Sequence, residues 1–156
     1  MNDVKVADDL ELRIERLIAA PPEQVYNYWT DPSLMVKWFG PEGYDIPESS
    51  FDVRVGGHWA ATMRRPDGTR LRVSGIYRTL EPPRRVAFTW AWVNDQGERG
   101  HETTVTVTCE TAPGGTRMTL LQREFQTVEQ CAAHNTGWTS AFKKFERMPE
   151  QVGGKV

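Results

Sequence analysis

From Tyr44 to Glu124, apolar side chains recur at every second position, and turn signals rich in glycine and proline break the pattern at short intervals. Period-two alternation sends successive side chains to opposite faces of an extended chain, so it marks strands with one dry and one wet face. Trp59, Ala61 and Met63 form one such set, and Leu71, Val73, Gly75 and Tyr77 the next. Val86, Phe88, Trp90 and Trp92 make a third. Val105, Val107 and Cys109 then alternate with Thr104, Thr106 and Thr108, before Met118 and Leu120. Turns are expected at Pro66-Asp67-Gly68, Pro82-Pro83, Asn94-Asp95-Gln96-Gly97 and Pro113-Gly114-Gly115. Phe51, Val53 and Val55 read as a strand leading into a tight turn or bulge at Gly56-Gly57. A meander of this kind is an antiparallel sheet with a single apolar face, and that face has to be covered.

The two ends of the chain supply the cover. Leu10, Leu12 and Ile14 alternate with charged residues as a first strand, which Pro21-Pro22 stops. Pro22 then opens a short helix through Val25, Tyr26 and Trp29. Asp31 caps a second, with Pro32 at its first position, Leu34, Met35 and Trp38 along it and Gly40-Pro41 at its end. After the meander the period changes. Thr127 and Gln130 form a capping box, and Cys131, His134, Trp138, Phe142 and Phe145 recur at steps of three and four. That is the apolar stripe of a helix of about twenty residues, ~30 Å long, enough to cross a six- or seven-stranded sheet. The expected fold is α+β: a curved antiparallel sheet of six or seven strands gripping a long C-terminal helix, with two short helices between the first two strands. Both helical segments argue against a closed barrel. No linker or internal repeat divides the chain, so residues 10–148 read as one domain, with flexible tails at 1–9 and 149–156.

The composition removes several function classes. Net charge is −2 with 26% charged residues, which leaves no basic footprint for nucleic acid. The arginine clusters at 64–65, 70, 72 and 84–85 read as a solvated face balanced by acids. No run approaches the ~20 apolar residues needed to span a bilayer, and the first residues lack a secretory layout, so a cytoplasmic protein without membrane insertion is expected. Cys109 and Cys131 have no metal-type spacing and read as buried thiols. His58, His101 and His134 show neither the i, i+4 spacing nor the HExxH context of a zinc site. No metal and no cofactor are therefore expected. Nucleophile elbows, phosphate loops and dinucleotide fingerprints are absent from the sequence. Asp52 and Arg54 read as a cross-strand ion pair, or as an inward arginine for a carboxylate ligand.

Five collinear pieces carry a family resemblance: APPEQVYNYWTDPSLMVKWFGP at 20–41, FDVRVGGHWAATMRRPDG at 51–68, GIYRTLEPPRRVAFTW at 75–90, GGTRMTLLQREF at 114–125, and His134 with Gly137-Trp138. In these the chain resembles the homologues of the heat-shock-protein-90 ATPase activator, within the START-related SRPBCC helix-grip superfamily of ligand-binding and lipid-transfer domains. The co-chaperone behind the family name has an additional N-terminal domain for chaperone contact. Here the shared fold begins at strand 10–18, so a chaperone partner is not expected, although the name carries an association with stress response.

The resemblance implies a cavity between sheet and helix. Its expected lining is Trp38 and Phe39 from the short helix; Trp59, Met63, Val73, Tyr77, Phe88, Trp90, Val105, Val107, Met118 and Leu120 from the sheet; and His134, Trp138, Phe142 and Phe145 from the long helix. Tyr77 and His134 are the polar groups expected to orient a ligand. Burying ~300 Å² of apolar ligand surface at ~25 cal/mol/Å² is worth roughly 7 kcal/mol before ordering costs. The leading expectation is non-catalytic binding of a small hydrophobic molecule, lipid-like or an aromatic metabolite. The alternatives are a cyclase- or aromatase-like enzyme with His134 or Tyr77 as acid or base, and a chaperone-linked or regulatory interaction module. The sheet edge and the polar helix flank offer surfaces for a homodimer.

Overall fold

The computed structural model describes residues 10–151. Its strands are β1 (Leu12–Ile18), β2 (Asp45–Phe51), β3 (His58–Arg64), β4 (Arg70–Glu81), β5 (Arg85–Val93), β6 (Thr103–Ala112) and β7 (Gly115–Arg123). All seven belong to one antiparallel sheet in the order β1-β7-β6-β5-β4-β3-β2. The meander thus runs unbroken from β2 to β7, and the first strand returns beside the last. Helices α1 (Pro22–Thr30) and α2 (Pro32–Trp38) lie between β1 and β2, and α3 (Val128–Phe145) follows β7. This is the α+β helix-grip arrangement, with seven strands.

The register aligns the alternating apolar sets on one face. Trp59 pairs with Gly75, Phe88 with Val105, Val107 with Leu120, and Leu120 with Ile14. Every one of these side chains is buried. Gly75 is required by close approach: a Cβ there would stand 1.8 Å from Thr89 O and 2.6 Å from Trp59 Nε1. The bare backbone lets the Trp59 indole cross β4 and donate to Thr89 O at 3.2 Å.

Local chemistry sets the helix starts. Asp31 Oδ1 accepts from Ser33 N–H at 3.0 Å, with Pro32 as the first residue of α2. Thr127 Oγ1 accepts from Gln130 N–H at 3.1 Å, while the Gln130 side chain reaches back to the N–H of Gln126 rather than of Thr127. The 18 residues of α3 span about 27 Å. Cys131, Trp138, Ala141, Phe142 and Phe145 form its buried stripe.

Three local readings change. β2 ends at Phe51, and residues 52–57 form a turn in which Val55 is 63% exposed. The strand falls earlier because it is an edge, where Pro47 with no N–H to give is tolerated. Asp52 and Arg54 therefore pair within that turn, at 2.8 Å, instead of across strands. The Arg54 side chain is 73% exposed and serves no inward ligand, so the pair contributes little. At the other end, Met148–Gln151 form one more helical turn, α4, with Met148 and Pro149 buried where the sequence suggested the start of a tail. Residues 1–9 and 152–156 lie outside the described residues. Cys109 and Cys131 are both buried, and burial pushes the Cys109 thiol up to about 12. Among the described residues no helix is long and apolar enough to cross a membrane.

Candidate functional site

The space between α3 and the sheet is full at one end and open at the other. Trp29 on α1 fills it. Its ring centroid lies 4.6 Å from Trp38, 5.7 Å from Phe145, 5.8 Å from Trp138 and 6.3 Å from Phe88. Trp38, Val105, Val107, Met118, Leu120, Phe142 and Phe145 are buried in the same continuous core, as is Val73, which pairs with Trp92 farther along the sheet. Trp59, Tyr77 and Phe88, with Met35 and Phe39, surround a hollow with no room for a water molecule. Much of the expected lining is therefore packing. Tyr77 belongs to it, and burial raises its phenol pKa.

Toward the other end of α3 a cavity of about 220 Å³ remains. Phe39, Met63, Trp90, His134 and Trp138, all expected, line it. Gly40, Pro41, Tyr44, Leu71, Trp92, Ala133, Gly137 and Ala141 complete the wall. The helix leaves this room because Ala133, Gly137 and Ala141 stand at steps of four, on one face. A Cβ added to Gly137 would meet nothing within 4 Å. Small residues at that spacing were the available sequence signal, hidden by the larger apolar stripe beside them.

The loop from Phe39 to Tyr44 forms one side of the cavity, and α3 holds it. Glu42 N–H donates to Ser140 Oγ at 2.9 Å, and Arg147 Nη2 reaches Glu42 Oε1 at 2.6 Å. Lys144 Nζ donates to Phe39 O at 3.3 Å and Tyr44 O at 3.5 Å. Burial lowers the Lys144 pKa, and Glu42 opposes that effect. Gly40, at φ 83°, makes the turn out of α2 that an L side chain would strain.

The polar groups are few and mostly committed. Trp138 Nε1–H donates to Gln122 Oε1 at 2.7 Å, Gln122 Nε2–H to Thr103 Oγ1 at 2.8 Å, and Thr103 Oγ1–H to Trp90 O at 3.4 Å. This buried chain fixes the Trp138 ring. Gln122 continues the inner-face series of Met118 and Leu120, a place where alternation predicts an apolar residue. His134 Nδ1 bonds Gln130 O at 2.7 Å, and its Nε2 lies 3.0 Å from Trp92 Nε1. An indole nitrogen only donates, so Nε2 is the acceptor and the proton sits on Nδ1. Burial lowers the His134 pKa against the opposing Gln130 hydrogen bond, which keeps the ring neutral near pH 7. Five of the six indole N–H groups have acceptors: Met118 Sδ for Trp29, Tyr28 O for Trp38, Thr89 O for Trp59, His134 for Trp92 and Gln122 for Trp138. Trp90 Nε1 is the exception, and with Tyr26 Oη it is one of two buried side-chain polar atoms without a partner among the described residues. An unmet buried donor costs about 1–3 kcal/mol. No Asp, Glu, Lys or Arg lines the cavity, so it suits an uncharged, largely apolar guest.

Residues 19–150 match a family model described as Activator of Hsp90 ATPase homolog 1-like protein. Among solved structures the chain is similar to the AHSA1 protein from Silicibacter pomeroyi, with 34% identity over 90% of this chain and 98% of that one and a TM-score of 0.82. It is also similar to a Chromobacterium violaceum protein, with 26% identity over 89% of this chain and 96% of that one and a TM-score of 0.80. An Arthrobacter aurescens protein shares 25% identity over 93% of this chain and 88% of that one, with a TM-score of 0.84. No curated protein gives a significant match.

Proposed function

The chain belongs to the family of Activator of Hsp90 ATPase homolog 1-like proteins, and on that footing we propose that it binds a small, uncharged hydrophobic molecule between α3 and the sheet. The observation that carries this reading is the cavity of about 220 Å³, whose walls include no Asp, Glu, Lys or Arg and, as side chains with a polar atom, Tyr44, His134 and the three tryptophans Trp90, Trp92 and Trp138. Its size lies just below the ~300–1,000 Å³ of drug-sized sites, which points to a compact guest. Trp90, Trp138 and Phe39 offer flat apolar surface, Met63 and Leu71 adaptable contact, and His134 a neutral ring at the edge.

The same geometry favours holding over turnover. Both ring nitrogens of His134 are engaged, one by Gln130 O and one by Trp92. Tyr77 is buried away from the cavity, with its phenol pKa raised.

Isothermal titration calorimetry with naphthalene, supported by thermal unfolding, tests the proposal. Saturable one-site binding and a melting temperature that climbs with ligand concentration are expected. Heat without saturation and an unmoved melting temperature across a panel of neutral aromatic compounds would overturn it.

A further inference from the structure

The cavity under α3 has a neighbour. Beyond Trp92 and His134 lies a second hollow of about 300 Å³, with Phe125, Thr103 and Gln130 on its far side. Trp90, Trp92, Ala133 and His134 are walls of both. Within that partition Trp92 Nε1–H donates to His134 Nε2 at 3.0 Å. Trp92 is 37% exposed, so its ring can swing outward without leaving a hole in the core. The Trp90 ring, which carries the unpartnered donor, meets Trp92 edge-on at 5.6 Å and His134 at 6.1 Å.

The side chains that divide the two hollows thus present one indole donor, Trp92 Nε1–H, and one imidazole acceptor, His134 Nε2, while the Trp90 Nε1–H donor is buried. A hydroxyl group has one proton to give and two lone pairs to accept with. Placed at the partition, it donates to His134 Nε2 and accepts from Trp92 Nε1–H, so that both groups keep a partner when their own hydrogen bond opens. A carbonyl or ether only accepts, which would strand the imidazole nitrogen. A carboxylate or ammonium would bring a full charge against walls that, in both hollows, include no Asp, Glu, Lys or Arg, the ionisable side chains there being Tyr44, His134 and, at the rim of the second hollow, His101. The Nδ1–H bond to Gln130 O holds the tautomer that makes Nε2 an acceptor.

We propose that the guest is an uncharged aromatic molecule bearing a hydroxyl, a phenol or fused-ring phenol, which lies across both hollows with its hydroxyl in place of the Trp92–His134 hydrogen bond. This rests on the ligand-binding reading above and narrows the chemistry of the same site.

The test titrates the full chain with 2-naphthol, naphthalene and 2-naphthoate, following the indole N–H signals by NMR with Trp→Phe variants for assignment. The expected result is that 2-naphthol binds about tenfold more tightly than naphthalene, a margin set by about one net hydrogen bond. Both guests should shift the Trp92 indole N–H signal by their ring currents, and 2-naphthol should shift it further because its hydroxyl replaces His134 as the acceptor. Trp92→Phe, or His134→Phe as an independent variant, should bring the ratio of 2-naphthol to naphthalene affinity down to about one. Equal affinity for 2-naphthol and naphthalene, or a preference in which 2-naphthol moves the Trp92 indole signal no further than naphthalene does, would overturn the hydroxyl assignment and leave the apolar site standing. Binding of 2-naphthoate as tight as that of 2-naphthol would overturn the requirement for a neutral guest. Failure of all three probes to bind, together with an unmoved melting temperature across the panel of neutral aromatic compounds, would remove the ligand-binding reading itself.

Discussion

Gly137 sits in the middle of α3, where a glycine costs about 0.5–1 kcal/mol relative to alanine. Nothing lies within 4 Å of the position its Cβ would take, so Gly137→Ala relieves that cost without a clash. The expected gain is about 0.5–1 kcal/mol, a rise of roughly 1–4 °C in melting temperature for a chain of this size. Gly137→Leu extends the side chain into the cavity beside Trp138 and Ala141. Burying a leucine is worth about 1.5–3 kcal/mol, less about 0.5–1 kcal/mol of lost rotamer freedom. Both variants should therefore melt higher than the parent, in calorimetry or in urea at unchanged m. The leucine variant should at the same time lose naphthalene binding. That opposition, stability up and binding down, is the signature of space kept open for a guest. A destabilised Gly137→Leu would mean that the helix face is not free there. A stabilised variant that binds as before would place the guest elsewhere.

Three further outcomes follow from the packing. Gln122→Leu should cost about 2–4 kcal/mol, read as a lower urea midpoint, because it strands Trp138 Nε1–H and disturbs Thr103 in the core; a neutral result would show the chain of hydrogen bonds to be dispensable. Gly75→Ala should destabilise by more than about 3 kcal/mol or prevent soluble expression, since its Cβ meets the Thr89 carbonyl at 1.8 Å. For His134, the folded-state pKa is depressed, chiefly by burial, so below about pH 6.5 the unfolded chain takes up the proton first. The stability tied to the neutral ring is then full above pH 6.5 and falls as pH drops toward the folded-state pKa. The drop in melting temperature between pH 7.5 and 5.5 should be smaller in His134→Ala than in the parent, and an identical drop would refute the assignment.

The strands could be read because alternation is a local property with one physical cause, a sheet wet on one side. Trp59, Ala61 and Met63, or Val105, Val107 and Cys109, announce their face without reference to any neighbour. Helix starts at Asp31 and Thr127 are equally local, each a side chain within reach of a backbone N–H two or three residues on. β2 was harder, since an exposed edge strand with Pro47 carries almost no alternation. The cavity was only half visible. Phe39, Met63, Trp90, His134 and Trp138 were recognisable as inward residues, but so were Trp38, Tyr77, Phe88 and Phe142, which turned out to be packing. Periodicity states which way a side chain points and says nothing about whether another side chain already occupies the space.

That occupancy is decided by Trp29, Gly137 and Trp92, and only Gly137, by its spacing from Ala133 and Ala141, carries a local sequence signal for it. Trp29 fills one end of the grip because α1 and α2 fold back against α3, a contact between residues more than a hundred positions apart. Gly137, with Ala133 and Ala141, leaves the other end open because that face of the helix happens to lie over Met63, Leu71 and Trp90. Trp92 becomes the partner of His134 only when the outer end of β5 meets the same helix. The chain's alternating run and its final helical stripe, being local, set the sheet, the helix and the face each must bury. How much of that face is filled depends on the volumes of side chains brought together from distant parts of the chain, and that sum is made only in three dimensions.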